Sequence, residues 1–515
     1  MDKVLKRENL SQIFTDIGLN NINAIIEKVR ELFDTHTFEP SEKYIICGRR
    51  EFLIEESLGI IDNDRKFCEG NLLKNTNGRA RFVIGNIYEL TYGNSYPYHY
   101  MHETRKVVDG TEMATLRDID EEYSKEGIVS LQEKNVIENL VNKLDAMYKN
   151  VNEKEIEDIK IRNLDKIAEY RKQLYKQPVL KDLFLEVTMR CNARCEHCGS
   201  SCGDKIVKDE ISADDLKKAL YDISQKYNPS DVLLNVTGGE PLVRKDLFEI
   251  MAYAVSLGFR WGMTSNGMLI NDEILKKMEE TKMETISISL DGLKETHESF
   301  RRVPNCYDKI IENIKKMQKI PSIKIVQVTT VANKKNLNEL EQLYKLMKEL
   351  NVVSWRVINV DPIGRAKDNK DILLDANDYL YLWNFIKEKR DENIINVEYG
   401  CSHYLDINYE KELRDTYFIC SAGLFVGSIL SNGDITVCPN VERRPEFVQG
   451  NIKTDNFVDV WENRFQIFRN EDRTKCDKCS KCKKWKYCLG DSFHTWNFDD
   501  NRPNFCIKEI LKEEE

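Results

Sequence analysis

From residue 183 to residue 360 two apolar rhythms alternate along the chain. LFLEVTM (183–189), DVLLNVTG (231–238), FRWGMTS (259–265), METISISLDG (283–292), SIKIVQVTTV (322–331) and NVVSWRVINV (351–360) are short apolar runs that read as strands. Between them, ADDLKKALYDISQKY, DLFEIMAYAVSLG, NDEILKKMEE, YDKIIENIKKMQK and NLNELEQLYKLMKEL repeat apolar residues at helical spacing. Strand–helix units of roughly 30 residues imply parallel strands joined by right-handed crossovers. Six strands predict an open, partial (β/α)6 barrel, with chemistry at the C-terminal ends of the strands.

The flanks read differently. In residues 1–180, NINAIIEKVRELF (21–33), NVIENLVNKLDAMYKNV (135–151) and EKEIEDIKIRNLDKIAEYRKQLYK (153–176) predict helices, and YIICGRREFLIEES and ARFVIGNIYEL predict strands. The expected division is an N-terminal α+β domain over 1–180, the barrel over 181–370, a linker helix over 371–399 and a Cys-rich domain over 400–515. No catalytic motif is legible in 1–180. His99 and His102 in YPYHYMHETR (96–105) admit a metal or substrate site, but an ordinary loop is the simpler reading.

Composition narrows the class. Of 515 residues, 41% are hydrophobic and 32% charged, as in globular proteins generally. No apolar run approaches the ~18–20 residues that span a bilayer, and MDKVLKRENLSQIF lacks a signal-peptide core, so a cytoplasmic protein with no membrane partner is expected. The net charge of −10 gives no support to a general nucleic-acid binder. In a reducing compartment, 15 cysteines point to metal ligation rather than disulfides. They cluster at 191–202 and, seven of them, at 420–506.

Cys191, Cys195 and Cys198 lie directly after the first strand of the barrel, where the fold puts chemistry. Three thiolates on one tight loop suit a four-iron cube with one iron left free. A zinc site, with Cys202 or His197 as fourth ligand, is the alternative. Further along, TGGEP (237–241), TSNG (264–267), SISLDGLKETHESFRR (287–302) and DPIGRA (361–366) follow at or near the ends of successive strands. Gly238 and Gly239 permit close approach of backbone to a ligand, Glu240 offers a carboxylate to an ammonium group, and Arg301 a planar fork for a carboxylate. Asp291 reads equally as a turn residue before Gly292 or as a ligand contact.

In this order the motifs closely resemble the radical S-adenosylmethionine (SAM) superfamily, over roughly 183–366. The resemblance implies that Cys191, Cys195 and Cys198 hold a 4Fe–4S cluster that binds SAM. It assigns Gly238, Gly239 and Glu240 to the SAM amino group, Ser289 and Arg301 to its carboxylate, and Gly364 to the adenine pocket, with Ser265 and Asn266 of TSNG beside them.

The C-terminal cysteines resemble the SPASM extension of that superfamily. Cys420, Gly433-x4-Cys438, Cys479-x2-Cys482-x5-Cys488 and Cys506 follow its pattern. Two departures stand out: Ser492 occupies the position of the next family cysteine, and Cys476 is extra. The resemblance implies one auxiliary 4Fe–4S cluster on Cys479, Cys482, Cys488 and Cys506. It implies a second near Cys420 and Cys438, whose set Cys476, Cys401, Asp491 or Ser492 completes, or which keeps an open iron. Of these, Cys476 is the leading candidate, because a thiolate outcompetes a serine hydroxyl as an iron ligand. A zinc ribbon is the alternative. Trp485, Tyr487 and Trp496 are expected to exclude water from these ligands.

The family activity is reductive cleavage of SAM to a 5′-deoxyadenosyl radical that abstracts hydrogen, with electrons from an external donor such as flavodoxin or ferredoxin. SPASM members commonly modify peptides or proteins, so the expected function is modification of a peptide or protein side chain, for instance a thioether or carbon–carbon cross-link, with residues 1–180 binding substrate or leader. A sulfatase-maturase-like role fits less well, because Pro439 and Asn440 follow Cys438 where that subfamily has an aspartate. Molybdopterin-precursor synthesis is disfavoured by the EILKEEE ending. The rival from another class is a non-enzymatic iron–sulfur or zinc-bound redox adaptor.

Overall fold

The computed structural model describes residues 43–48, 81–86, 153–203, 209–392, 394–400, 402–414 and 417–512. His99, His102, Cys401 and the helices expected over 21–33 and 135–151 lie outside these residues. The chain divides into two compact units: one takes residues 1–167 with 390–393 and 415–417, the other the remainder. In the first, strands β1 (Lys43–Gly48) and β2 (Arg81–Asn86) form an antiparallel pair with Lys43 opposite Asn86, overlapping the two segments read as strands.

The second unit is built on one sheet. Strands β3 (Asp182–Thr188), β4 (Leu233–Gly238), β5 (Arg260–Ser265), β6 (Thr285–Ser289), β7 (Ile325–Ala332) and β8 (Ser354–Asn359) occupy the six segments read as strands, and all neighbours pair in parallel. This is the partial barrel, an α/β fold. The sheet runs past both of its expected edges. Strand β9 (Asn396–Tyr399) adds in parallel to β8. Strand β10 (Val426–Ile429) adds in parallel to β3 and carries β11 (Asp434–Thr436) and β12 (Gly450–Asn451) antiparallel beyond it. The stretch 371–399 holds a helix, Ala376–Glu392, followed by a strand, and the Cys-rich segment shares a sheet with the barrel.

Alternation along the strands separates two faces. Leu183, Leu185, Val187, Leu234, Val236, Trp261, Met263, Ile286, Ile288, Val328, Trp355 and Val357 are buried and form the helix-covered face. The helix Ala213–Lys226 shows why it docks there: Ser212 caps it by accepting from the Asp215 amide, and Leu216, Ala219, Leu220 and Ile223 recur on one buried stripe. Each such fully buried leucine or isoleucine stabilises the packing by roughly 1.5–3 kcal/mol. The opposite, concave face is polar: Thr237, Thr264, Ser287, Ser289 and Thr329 keep partial or full exposure, and the Ser287 and Thr329 hydroxyls are 2.7 Å apart. At the β3 edge of that face, Glu186 accepts from the Ser431 amide at 3.1 Å and pairs with Arg443, so the C-terminal segment flanks the barrel interior.

Candidate active site: a cysteine loop under a polar sheet face

The three cysteines leave the end of β3 in a loop stapled by backbone bonds. The Cys191 amide donates to Gly203 (2.7 Å), that of Cys198 to Cys195 (3.5 Å) and that of Ser201 to Cys198 (3.1 Å). Their thiols lie close enough to feel one another's charge, and burial pushes that of Cys191 up to about 11. The Cys198 thiol is pulled down to about 5, chiefly by a hydrogen bond from Cys202, with Arg365 adding a favourable charge against the cost of burial. Gly239 packs so tightly on this loop that a Cβ would overlap the Arg190 carbonyl. Its own amide, with that of Glu240, donates back to Thr188 and Arg190 at 2.8 and 2.9 Å. Gly238 closes β4 just before it.

Several residues singled out from the sequence converge here. Glu240 is fully buried, and burial pushes its carboxyl up. Its two oxygens accept from Ser265 Oγ (2.9 and 3.1 Å), the Asn266 amide (2.8 Å) and the Leu242 amide (3.2 Å). These bonds lock the end of β5 to the end of β4. Asn266 then reaches the loop, donating to Asn192 Oδ1 at 2.8 Å with Cys191 Sγ at 4.0 Å. Ser289 closes β6 opposite Thr329, half-exposed on the concave face.

Asp291 is more than a turn residue before Gly292. It is fully buried and binds the guanidinium of Arg301 through Nε and Nη2, both at 2.6 Å from Oδ2. Burial opposes its ionisation, but Arg301 and the neighbouring histidines hold the carboxyl below the usual range. His197 stacks on Phe300 with ring centroids 4.5 Å apart, and its Nε2 faces Asp291 at 3.9 Å. Cys202 Sγ contacts Met189 Sδ at 3.6 Å. Among the described residues no three His, Cys, Asp or Glu side chains close on a single ion, as a zinc site requires; around a four-iron cube each thiolate serves its own iron.

The loop after β8 clamps the cysteines from the other side. Gly364 has φ +54°, and a Cβ there would overlap the carbonyl oxygens of Cys198 and Gly199, so only glycine allows the approach. Arg365 donates to three backbone carbonyls of the loop: from its amide to that of Cys198 (3.1 Å), from Nε to that of Cys195 (2.7 Å) and from Nη1 to that of Cys202 (2.7 Å).

The C-terminal cysteines form a second group on short turns. Cys476 caps the helix Asp477–Ser480 with its Sγ 3.3 Å from Cys479 Sγ, so the extra cysteine joins the Cys479 group. Cys479 also feels Cys506, and Cys488 feels Cys479 and Cys482. After Cys488 three consecutive residues, Leu489, Gly490 and Asp491, take positive φ. This sharp turn leads Ser492 and Phe493 past Cys420, whose Sγ accepts from the Phe493 amide at 3.3 Å. The departure at Ser492 thus lies next to Cys420, whereas the Cys476 thiol lies beside Cys479. Cys438 follows β11, the hairpin partner of the strand that Cys420 precedes.

Three convergent thiols on one loop, glycines where backbone must pass closest, and a second all-sulfur donor set fit 4Fe–4S clusters. Comparison with known families agrees. The radical SAM superfamily model matches residues 185–347, and SPASM, an iron–sulfur cluster-binding domain, matches 420–483. The chain is a radical SAM enzyme with a C-terminal SPASM domain. Its cofactors are 4Fe–4S clusters and SAM. Similar proteins include the AdoMet-dependent heme synthase of Methanosarcina barkeri, 28% identical over 299 residues, 55% of this chain and 82% of that one. The mycofactocin maturase MftC of Mycolicibacterium smegmatis is 26% identical over 287 residues, covering 55% of this chain and 70% of its own. Streptococcus suis SuiB, solved bound to its precursor peptide SuiA, superposes with TM-score 0.52 at 18% identity over 80% of this chain and 92% of that chain, a likeness of fold. No helix among the described residues is long and apolar enough to cross a membrane.

Two features of the radical SAM site escaped sequence reading. Arg365 lies inside the quoted DPIGRA, but a lone arginine after glycine carries no local sign that its partners sit at 195–202. The second is a buried network joining the β8 loop to the SPASM segment. His403 Nε2 is 3.1 Å from Asp361 Oδ1 and its Nδ1 3.5 Å from Asp491 Oδ2; His494 Nε2 is 3.5 Å from Asp361 Oδ2. Phe505 stacks on His403 at 4.0 Å. Burial works against the imidazolium, but Asp361 and Asp491 raise His403 to about 9. Its partner Asp361 lies 42 positions away, beyond any local pattern.

Proposed function

We propose that this radical SAM enzyme modifies a side chain of a peptide or protein, for instance by forming a thioether or carbon–carbon cross-link. The observation that carries this reading is the concave sheet face. Thr237, Thr264, Ser287, Ser289 and Thr329 line it with short hydroxyl side chains, partly open to solvent. Such a wall offers hydrogen bonds to peptide amides. A flat macrocycle of the kind implied by the name of the Methanosarcina relative would ask for broad apolar or aromatic faces. The maturase relative supports the same reading. The heme-synthase alignment spans 55% of this chain, so nearly half of the chain lies outside it, and we assign residues 1–180 to substrate or leader recognition. The β1–β2 pair offers a ladder to which an extended peptide adds as a strand.

In this reading Cys191, Cys195 and Cys198 hold the SAM-binding cluster, and the ends of β4, β5, β6 and β8 receive SAM. When bound, cluster and SAM supply the chemistry that removes a hydrogen atom from an unactivated carbon. The chain's own part is positional. Glu240 and Asn266 fix the rim on one side, Gly364 and Arg365 on the other, and the polar wall orients the target carbon. Cys479, Cys482, Cys488 and Cys506 hold an auxiliary cluster, and Cys420 and Cys438 belong to a second. A flavodoxin or ferredoxin supplies electrons, in the cytoplasm.

The test is an anaerobic turnover assay of the reconstituted enzyme. It is supplied in parallel with candidate precursor peptides, above all any encoded beside its gene, and with iron–porphyrin substrates. Peptide-dependent 5′-deoxyadenosine formation with a mass loss of hydrogen in the peptide supports the reading. Porphyrin-dependent turnover with no peptide response overturns it.

A further inference from the structure

We propose that Arg301 tunes the iron–sulfur cluster of the cysteine loop by donating a hydrogen bond to the sulfur of Cys195, and that it does not grip the carboxylate of SAM. The inference rests on Cys191, Cys195 and Cys198 being the cluster ligands. Arg301 ends the helix Lys294–Arg301 and is 8% exposed. Its planar fork is already committed: Nε and Nη2 both lie 2.6 Å from Asp291 Oδ2. That leaves Nη1, which points to Cys195 Sγ at 3.6 Å.

The arrangement is held from both ends. The Phe300 carbonyl, one residue before Arg301, accepts from the amide of Glu196, one residue after Cys195, at 3.0 Å. Asp291 is anchored in turn by the Val331 amide, which donates to its Oδ1 at 2.9 Å, and its own amide donates to His297 Nδ1 at 3.0 Å. The helix end and the cysteine loop therefore move together, and the N–H···S contact is built in.

The physical consequence concerns charge. Reduction adds an electron to the cluster. A cation and a hydrogen-bond donor at a ligand sulfur stabilise that added charge, and hydrogen bonds to the sulfurs are one of the known determinants of cluster potential. Guanidinium is always protonated, so its contribution is constant. Asp291, fully buried beside it, offsets part of it. The two side chains should therefore act on the potential in opposite directions, which a merely structural ion pair would not do.

The experiment is a potentiometric titration of the full-length reconstituted enzyme followed by electron paramagnetic resonance. The loop cluster is identified as the signal lost in the Cys191→Ala, Cys195→Ala, Cys198→Ala triple variant. Arg301→Gln should move that signal to more negative potential, and Asp291→Asn to more positive potential. SAM affinity, measured by equilibrium dialysis, should fall by less than about threefold in Arg301→Gln. An unmoved potential with a loss of SAM affinity of about tenfold or more overturns the proposal in favour of carboxylate binding. If Arg301→Gln takes up no loop cluster, Asp291→Asn decides: a positive shift supports the proposal, and a zero or negative shift overturns it. If the triple variant loses no signal, the ligand assignment has failed, an outcome distinct from a signal that is present but does not move.

Discussion

The two cysteine regions are built in opposite ways. The loop at 191–198 makes few of its own restraints and borrows the rest: Gly239 and Glu240 after β4, Asn266 after β5, Phe300 and Arg301 after β6, and Gly364 and Arg365 after β8 all bond or pack against it. The cysteine turns at 476–488 are held mainly by their own backbone bonds. Ser480, Cys482, Trp485 and Asp491 donate amides to Cys476, Cys479, Cys482 and Cys488, each only three or four residues back. Long-range ties come at the margins: Arg171 donates to the Tyr487 carbonyl, Lys484 pairs with Asp406, and beyond Cys488 the residues Asp491 and His494 join His403 and Asp361. The difference teaches what each region requires. A site that must place a reactive group against a carbon within a fraction of an ångström is fixed by convergence from many rigid strands. A group that only has to enclose metal is satisfied by local turns.

The sharpest way to break the comparison is to remove the loop thiols. Cys191→Ala, Cys195→Ala and Cys198→Ala together should abolish 5′-deoxyadenosine formation while iron bound by the C-terminal group remains. Persistent product in the triple variant would show that the two regions are not separate. Next comes the surplus thiol. Five cysteines share the 476–506 group, and a cube takes four, so Cys488→Ala should cost about four irons per chain. Cys476→Ala should leave the count unchanged, and equal losses in both variants on iron analysis would contradict that grouping. Borrowed restraint is tested by Gly364→Ala, which forces a Cβ into the Cys198 and Gly199 carbonyls. Turnover should drop by about 100-fold, the scale of a misplaced reacting group, with C-terminal iron intact. Turnover close to that of the parent enzyme would show that the β8 loop is not needed for precision.

The smallest effect concerns the network between the two regions. His403 is raised from 6.5 when unfolded to about 9 when folded. Its contribution, on the order of 3 kcal/mol, is therefore complete below pH 6.5 and lost as pH rises through about 9. Thermal melts should show the parent protein losing stability from pH 7 to pH 9.5 more steeply than His403→Gln. Parallel pH profiles would place the source of any alkaline loss elsewhere.

Much of the barrel was legible in one dimension because its signals are local. Each of the six strand segments is an apolar run bounded by polar turns, and the cysteine spacing sits on a single loop. The same holds for Cys479, Cys482 and Cys488. Strand β9 was hidden because Asn396–Tyr399 is four residues long and NVEY carries no clear alternation. Strand β10 was hidden because VGSI is short, and its partner β3 lies more than 200 residues upstream.

Side-chain roles divide along the same line. Residue type and spacing were enough to say that Glu240, Arg301 and Asp291 are charged groups near the strand ends, and that Cys476 is one thiol more than the pattern holds. They could not say which partner each charge would find. A buried charge takes whichever opposite charge or donor the fold brings within about 3 Å, because leaving it unpaired costs several kcal/mol. Glu240 therefore turned to Ser265 and Asn266, and Arg301 to Asp291 and Cys195. His403 settled between Asp361 and Asp491, residues 42 positions before it and 88 after. Composition and periodicity act over a few residues; pairing between buried charges acts through space, and it exists only once the sheet has brought its strand ends together.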